Sequence, residues 1–170
     1  MLSTRTQILD AARRLFVRQG YQHTSIREIA EQLGMTKTAV LYHFPTKADI
    51  LTAVAEPFLD DLSAALTDAT SAQEVFEGLL DVYLRHRALL RDNVMHDLAL
   101  LSQGPSVQRF TELLFTANRL VAGPNPTLRK KVRAAQAIAA LSDPVVAYAD
   151  EPADQLRVEV LRGVARLYAE

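Results

Sequence analysis

Apolar residues recur along this chain at the three- and four-residue spacing of helices, and no stretch alternates with period two. Ile8, Ala12, Leu15 and Phe16 form one stripe, bounded by Thr4 and Gln7 as a capping pair and stopped by Gly20. A second helix opens at Thr24 or Ser25, with Ser25 and Glu28 in capping-box spacing. It carries Ile26, Ile29, Ala30 and Leu33 on one side and ends at Gly34. A third begins near Thr36, turns Val40 and Phe44 inward and stops at Pro45. Thr46 caps a fourth, whose stripe is Ile50, Val54, Phe58 and Leu62, with a kink expected at Pro57.

The same period continues to the end of the chain. Ser71 and Glu74 form another capping box ahead of Phe76, Leu79, Leu80 and Tyr83. Further stripes are Val94, Leu98 and Leu101; Phe110, Leu113, Leu114, Ala117 and Val121; and Leu128, Val132, Ala135 and Ala139, with a kink or break at Pro144. The last is Leu156, Val160, Val164 and Leu167. The pattern predicts an all-α protein of eight or nine helices. The excess of Leu and Ala, 25 each against 14 Val and 5 Ile, agrees, since these side chains lose little rotamer freedom in a helix.

Composition narrows the chemistry. With 170 residues and no cysteine, the chain can bury a sizeable core without disulfides, and thiolate chemistry and Cys-based metal sites are excluded. No uncharged apolar run approaches the ~18 residues of a membrane span, and the N-terminus does not read as a secretory signal. A cytoplasmic location is expected. The net charge of −1 is unevenly divided: residues 1–47 carry seven basic and three acidic residues, and the remainder carries twelve and seventeen. A positive head of net +4 on a body of net −5 raises the question of nucleic acid.

Two short helices joined by about three residues around Gly34 have the spacing of a helix-turn-helix, whose second helix enters the major groove. With Val40 and Phe44 inward, Thr36, Lys37, Thr38, Ala39, Tyr42 and His43 face outward. These side chains can meet phosphates, base edges and thymine methyl groups, and no acid stands among them. Lys47 lies in the first turn of the fourth helix, where the helix dipole disfavours a cation and a phosphate would be bound by ammonium and free backbone N–H groups together. On spacing alone, a helical interaction module without DNA binding remains an alternative.

The stretch from Thr24 to Leu51, TSIREIAEQLGMTKTAVLYHFPTKADIL, resembles the N-terminal domain of the TetR family of transcriptional regulators. Ile29-Ala30, Gly34-Met35-Thr36, Tyr42-His43-Phe44 and Phe44-Pro45-Thr46-Lys47 fill that family's characteristic places. The first-helix segment ILDAARRLFVRQGYQHTS matches its usual opening, and Leu41 stands where many members carry an outward Tyr or His. The resemblance implies a helix-turn-helix domain over residues 1–46 and a helical regulatory and dimerisation domain over 47–170. Thr24, Ser25 and Arg27 would then contact phosphates. Thr36, Lys37, Thr38 and Ala39 would face base edges, and Tyr42, His43 and Lys47 would anchor the DNA backbone.

The resemblance further implies a homodimer built from the last two long helices, with Val132, Ala135, Ala139, Leu156, Val160, Val164 and Leu167 as interface residues. It implies a pseudo-palindromic operator and, for a repressor, release by an apolar small-molecule effector. Tyr83, His86, Asn93, His96 and Asp97 are the candidate polar lining of an effector pocket. The adjacent pair His96-Asp97 is not read as a metal site, since neighbours on a helix diverge by about 100°, and no cofactor is expected. An enzyme is the remaining alternative. However, the paired carboxylates Asp60-Asp61 and Asp150-Glu151 lack a nucleophile–base set or a phosphate-cradling glycine loop beside them.

Overall fold

The computed structural model describes residues 3–91 and 105–169, which form helices joined by short loops with no strand among them. The helices are α1 (Thr4–Gln19), α2 (Ile26–Gln32), α3 (Lys37–His43), α4 (Lys47–Thr67) and α5 (Ala72–Arg85). They continue as α6 (Arg87–Arg91), α7 (Pro105–Ala122), α8 (Leu128–Ala147) and α9 (Ala153–Ala169). The segment carrying Val94, Leu98 and Leu101 lies outside the described residues. Two compact units emerge. The first runs to Pro57 and includes the described residues of 88–107; the second comprises Phe58–Arg87 and the residues from Gln108 onward.

The first unit contains α1, α2 and α3. Ser3, not Thr4, caps α1: its Oγ accepts from the Thr6 amide at 3.1 Å. Ile8, Ala11, Ala12, Leu15 and Phe16 are buried, which adds Ala11 to the expected stripe. Ser25 and Glu28 form the capping box that opens α2, and Thr36 caps α3 through the Ala39 amide. Between them Gly34 adopts φ +64°, a left-handed conformation that side chains with a Cβ rarely take. That turn lets the Met35 amide return to the Ala30 carbonyl at 2.9 Å and holds α2 against α3. Ile29, Val40 and Phe44 are buried behind it.

Thr46 opens α4 with a reciprocal cap. Its Oγ1 accepts from the Asp49 amide, and Asp49 Oδ2 accepts from the Thr46 amide. The stripe Ile50, Val54, Phe58 and Leu62 is buried as expected. The helix runs on through Pro57, and α8 runs on through Pro144, so neither proline ends its helix.

In the second unit α5 packs on α8 and α9, and α8 packs on α9. Gly78 of α5 lets α4 approach closely, since a Cβ there would meet Ala65 Cβ at 3.2 Å. The inward face of α8 is Ala134, Ala137, Ile138, Leu141 and Val145. The stripe expected from the sequence points elsewhere: Leu128 is 77% exposed, Val132 is 46% exposed, and Ala135 and Ala139 are also exposed. An alanine-rich helix is apolar on more than one side, and Val132, Ala135 and Ala139, expected at an interface, lie on the side away from this core. Among the described residues no helix is long and apolar enough to cross a membrane.

Candidate nucleic-acid interface

The geometry of the first unit centres on the loop between α1 and α2. Gly20 closes α1 with φ +81°. Tyr21 then folds back and buries its ring against Phe16, with centroids 5.4 Å apart. Lys47, in the first turn of α4, reaches this loop. Its Nζ donates to the carbonyls of Tyr21 and Thr24, each at 2.8 Å, and lies 4.1 Å from the Tyr21 ring centroid. Charge-assisted hydrogen bonds and a cation–π contact from one ammonium thus fix the loop.

The expected phosphate-contacting residues divide into two groups. Thr24 is 2% exposed, and its hydroxyl donates to the Gly20 carbonyl at 2.8 Å, so it braces the loop from within. Lys47 is half-buried and also serves the loop. Ser25 and Arg27 are at the surface. Ser25 Oγ accepts from the Glu28 amide and donates to the Glu28 carboxylate. The Ser25 hydroxyl and amide hold that carboxylate below its ordinary pKa. Arg27 pairs with Glu31 one turn on at 2.7 Å.

The outward surface of α3 matches expectation more closely. Thr36, Lys37 and Thr38 are exposed, Ala39 is half-exposed, and Tyr42 is 86% exposed. His43 is half-buried and meets the Tyr42 ring edge-on at 5.4 Å. Two contributors were missed. Arg5 of α1 stacks its guanidinium 4.8 Å from the Phe44 ring centroid, covering the C-terminal end of α3. Tyr21 is the platform for Lys47. Its only signal in the sequence was an aromatic residue directly after a helix-stopping glycine.

The candidate effector residues are partly outside view: Asn93, His96 and Asp97 lie beyond the described residues. Tyr83 is buried, and burial pushes its phenol up to about 12. His86 Nε2 lies 2.8 Å from Asp61 Oδ2. Phe58 gathers both, stacking on Tyr83 at 6.2 Å and receiving the His86 ring edge-on at 5.5 Å. Asp61 also accepts from Arg85, and Asp60 accepts from Arg109, each at 2.7 Å. The acidic pair therefore ties α4 to α5 and α7. No group of His, Asp and Glu suited to a metal occurs among the described residues.

The interface candidates also divide. Leu156, Val160 and Val164 are buried within the chain, whereas Val132, Ala135, Ala139 and Leu167 are exposed. An apolar groove of about 430 Å³ runs between α8 and α9, lined by Ala140, Pro144, Tyr148, Val160, Gly163 and Leu167 among others.

Comparison with known proteins adds to this geometry. Residues 8–54 match the family model for bacterial regulatory proteins, tetR family. The HTH-type transcriptional regulator AcrR of Shigella flexneri is 45% identical over 53 residues, 31% of this chain and 25% of that one. The probable HTH-type transcriptional regulator ArpR of Pseudomonas putida is 32% identical over 111 residues, 65% of this chain and 49% of that one. The aligned segments thus span a quarter to a half of these curated relatives. A solved transcriptional regulator from Aquifex aeolicus superposes with a TM-score of 0.81 over 97% of this chain and 99% of its own. At 18% identity that likeness speaks for the fold alone. Residues 8–54 thus form a domain that matches the tetR family of bacterial regulatory proteins.

Proposed function

We propose that the protein is a sequence-specific DNA-binding regulator of transcription whose α3 reads base edges in the major groove. The observation that carries this reading is the outward face of α3. Thr36, Lys37, Thr38 and Tyr42 are exposed together, no acid stands among them, and Val40 anchors the helix from behind. Lys37 and Thr38 are the base-reading candidates, with Ala39 offering a methyl contact. Ser25, Arg27, Tyr42 and His43 are the phosphate candidates. Thr24 and Lys47 act by holding the loop that presents the start of α2. Electrophoretic shift of selected genomic duplexes at graded salt tests this: binding should weaken steeply as salt rises. A chain that shifts no duplex at low salt contradicts it.

The homodimer belongs to the same proposal. Leu128, Val132, Ala135 and Ala139 form an apolar stripe along α8 that the chain's own core does not cover. Tyr148 and Leu167, 60% and 51% exposed, flank the neighbouring groove between α8 and α9. A second copy related by two-fold symmetry would bury both, and its symmetry would match a pseudo-palindromic operator. Repression, with release by an effector, is the regulatory mode we favour. It requires an effector that binds better to the form unable to hold DNA, because tight binding alone shifts nothing.

A further inference from the structure

The cations of the first unit are unevenly committed. Of the seven basic residues up to position 47, three lie on α2, α3 and α4. Arg27 is paired with Glu31 at 2.7 Å, and the Lys47 ammonium is engaged by the carbonyls of Tyr21 and Thr24. That leaves Lys37 on the outward face of α3, whereas affinity for a phosphate backbone grows with the number of charges neutralised. The other four, Arg5, Arg13, Arg14 and Arg18, all belong to α1. At about 100° per residue, Arg14 and Arg18 lie on the side of α1 away from Arg5.

Arg5 is held against the end of α3. Its guanidinium lies over the ring of Phe44, the C-cap of that helix, with Cζ 4.8 Å from the centroid. Phe44 is buried and Arg5 is exposed, so a fixed support carries a cation at the surface. The contact joins the first turn of α1 to the C-terminal end of α3, two residues from the outward Tyr42. A cation–π contact positions the side chain without neutralising it. Among the described residues Arg5 forms no hydrogen bond and no ion pair, so its N–H fork remains available. The first turn of α1 holds no acid, and the helix dipole disfavours a cation there, so an external anion is its natural counter-charge. A planar fork held in one place suits the bidentate geometry of a phosphate.

We propose that Arg5 contacts a phosphate of the DNA backbone beside the C-terminal end of α3 and fixes the orientation of that helix in the groove. This role rests on the DNA-binding reading and adds a contact from outside the helix-turn-helix. Phosphate contacts set affinity and register, not base preference, and the same holds for Arg5.

The test compares the whole chain with its Arg5→Gln and Arg5→Lys variants, each titrated with a selected and a scrambled duplex across a range of salt. Arg5→Gln should weaken both duplexes by roughly tenfold, keep their affinity ratio, and lower the salt slope by about 0.9 per bound chain. Arg5→Lys should restore the slope, because the charge returns. Duplexes in which one backbone phosphate at a time is a neutral methylphosphonate locate the contact: one position should weaken the wild type and leave Arg5→Gln unaffected. If Arg5→Gln lowers the melting temperature but keeps the wild-type salt slope, Arg5 only packs on Phe44 and the proposal is overturned. It is overturned as well if every methylphosphonate weakens the wild type and Arg5→Gln alike. In both cases the wild type still prefers its selected duplex, so the DNA-binding reading survives. A wild-type chain that shifts no duplex overturns both.

Discussion

Lys47 Nζ lies 2.8 Å from the carbonyl oxygen of Thr24. The contact joins the first turn of α4 to the residue just before the α2 cap, so the charge at position 47 sets where α2 begins. A cation that reads as a phosphate anchor in the sequence therefore has work inside the fold. Replacing it with alanine takes the ammonium donor from both carbonyls, of which that of Tyr21 keeps the Thr24 amide at 3.2 Å. Lys47→Ala should cost about 1–3 kcal/mol, which for a chain of this size lowers the melting temperature by about 2–4 °C per kcal/mol. DNA affinity should fall for all sequences alike. An unchanged melting temperature would contradict the brace. The salt slope separates the two roles, since loss of a direct phosphate contact lowers it by about 0.9.

Specificity should sit on α3. Thr38→Ala and Lys37→Ala should each change preference at particular base pairs by about 1–3 kcal/mol and leave the rest of the consensus intact. Binding-site selection with each variant checks this. The same consensus from wild type and both variants would remove α3 as the reading helix.

The exposed apolar stripe gives a test of assembly. Val132→Glu should convert a dimer into a monomer in equilibrium sedimentation while helical content stays constant, because Val132 is 46% exposed within the chain. DNA affinity should drop with it. Val160→Ala, at a position 7% exposed, should instead lower stability through lost packing. If Val132→Glu stays dimeric, the interface lies elsewhere.

Asp61 gives a pH prediction. Hydrogen bonds from His86 first, and from Arg85, hold its carboxyl below the ordinary value of 3.8. A depressed carboxylate contributes stability at neutral pH, above its unfolded value, and that contribution fades as pH falls through the folded value. Asp61→Asn should therefore cost less than about 1 kcal/mol at pH 7, since the side chain is a third exposed. It should cost nothing in strong acid, where wild type and variant converge. Urea titrations across that range measure the difference. A gap that widens toward low pH would contradict the assignment.

Local chemistry was legible in the sequence. The capping boxes at Ser25–Glu28 and Ser71–Glu74 are three-residue relationships, and both are present. The buried stripes of α1, α4 and α5 were legible because polar residues interrupt them on one side. The faces of α8 were not, because alanine is nearly indifferent to burial and lies on several sides. Nor was the inward turn of Lys47, whose partners are 26 and 23 residues away in the chain. Thr24 was misjudged for a related reason. A threonine before a capping serine reads as surface, and only the fold shows its hydroxyl returning to Gly20.

The central claim is that α3 reads a specific duplex. Its most direct measurement is the affinity of the whole chain for a selected duplex and for a scrambled one, each titrated from 50 to 200 mM salt, on the order of the range over which counterion release is readily seen. The expected result is a linear fall of log affinity with log salt for both, with the selected duplex bound at least about a thousandfold more tightly throughout. Equal affinity for the two duplexes, or binding indifferent to salt, would contradict it.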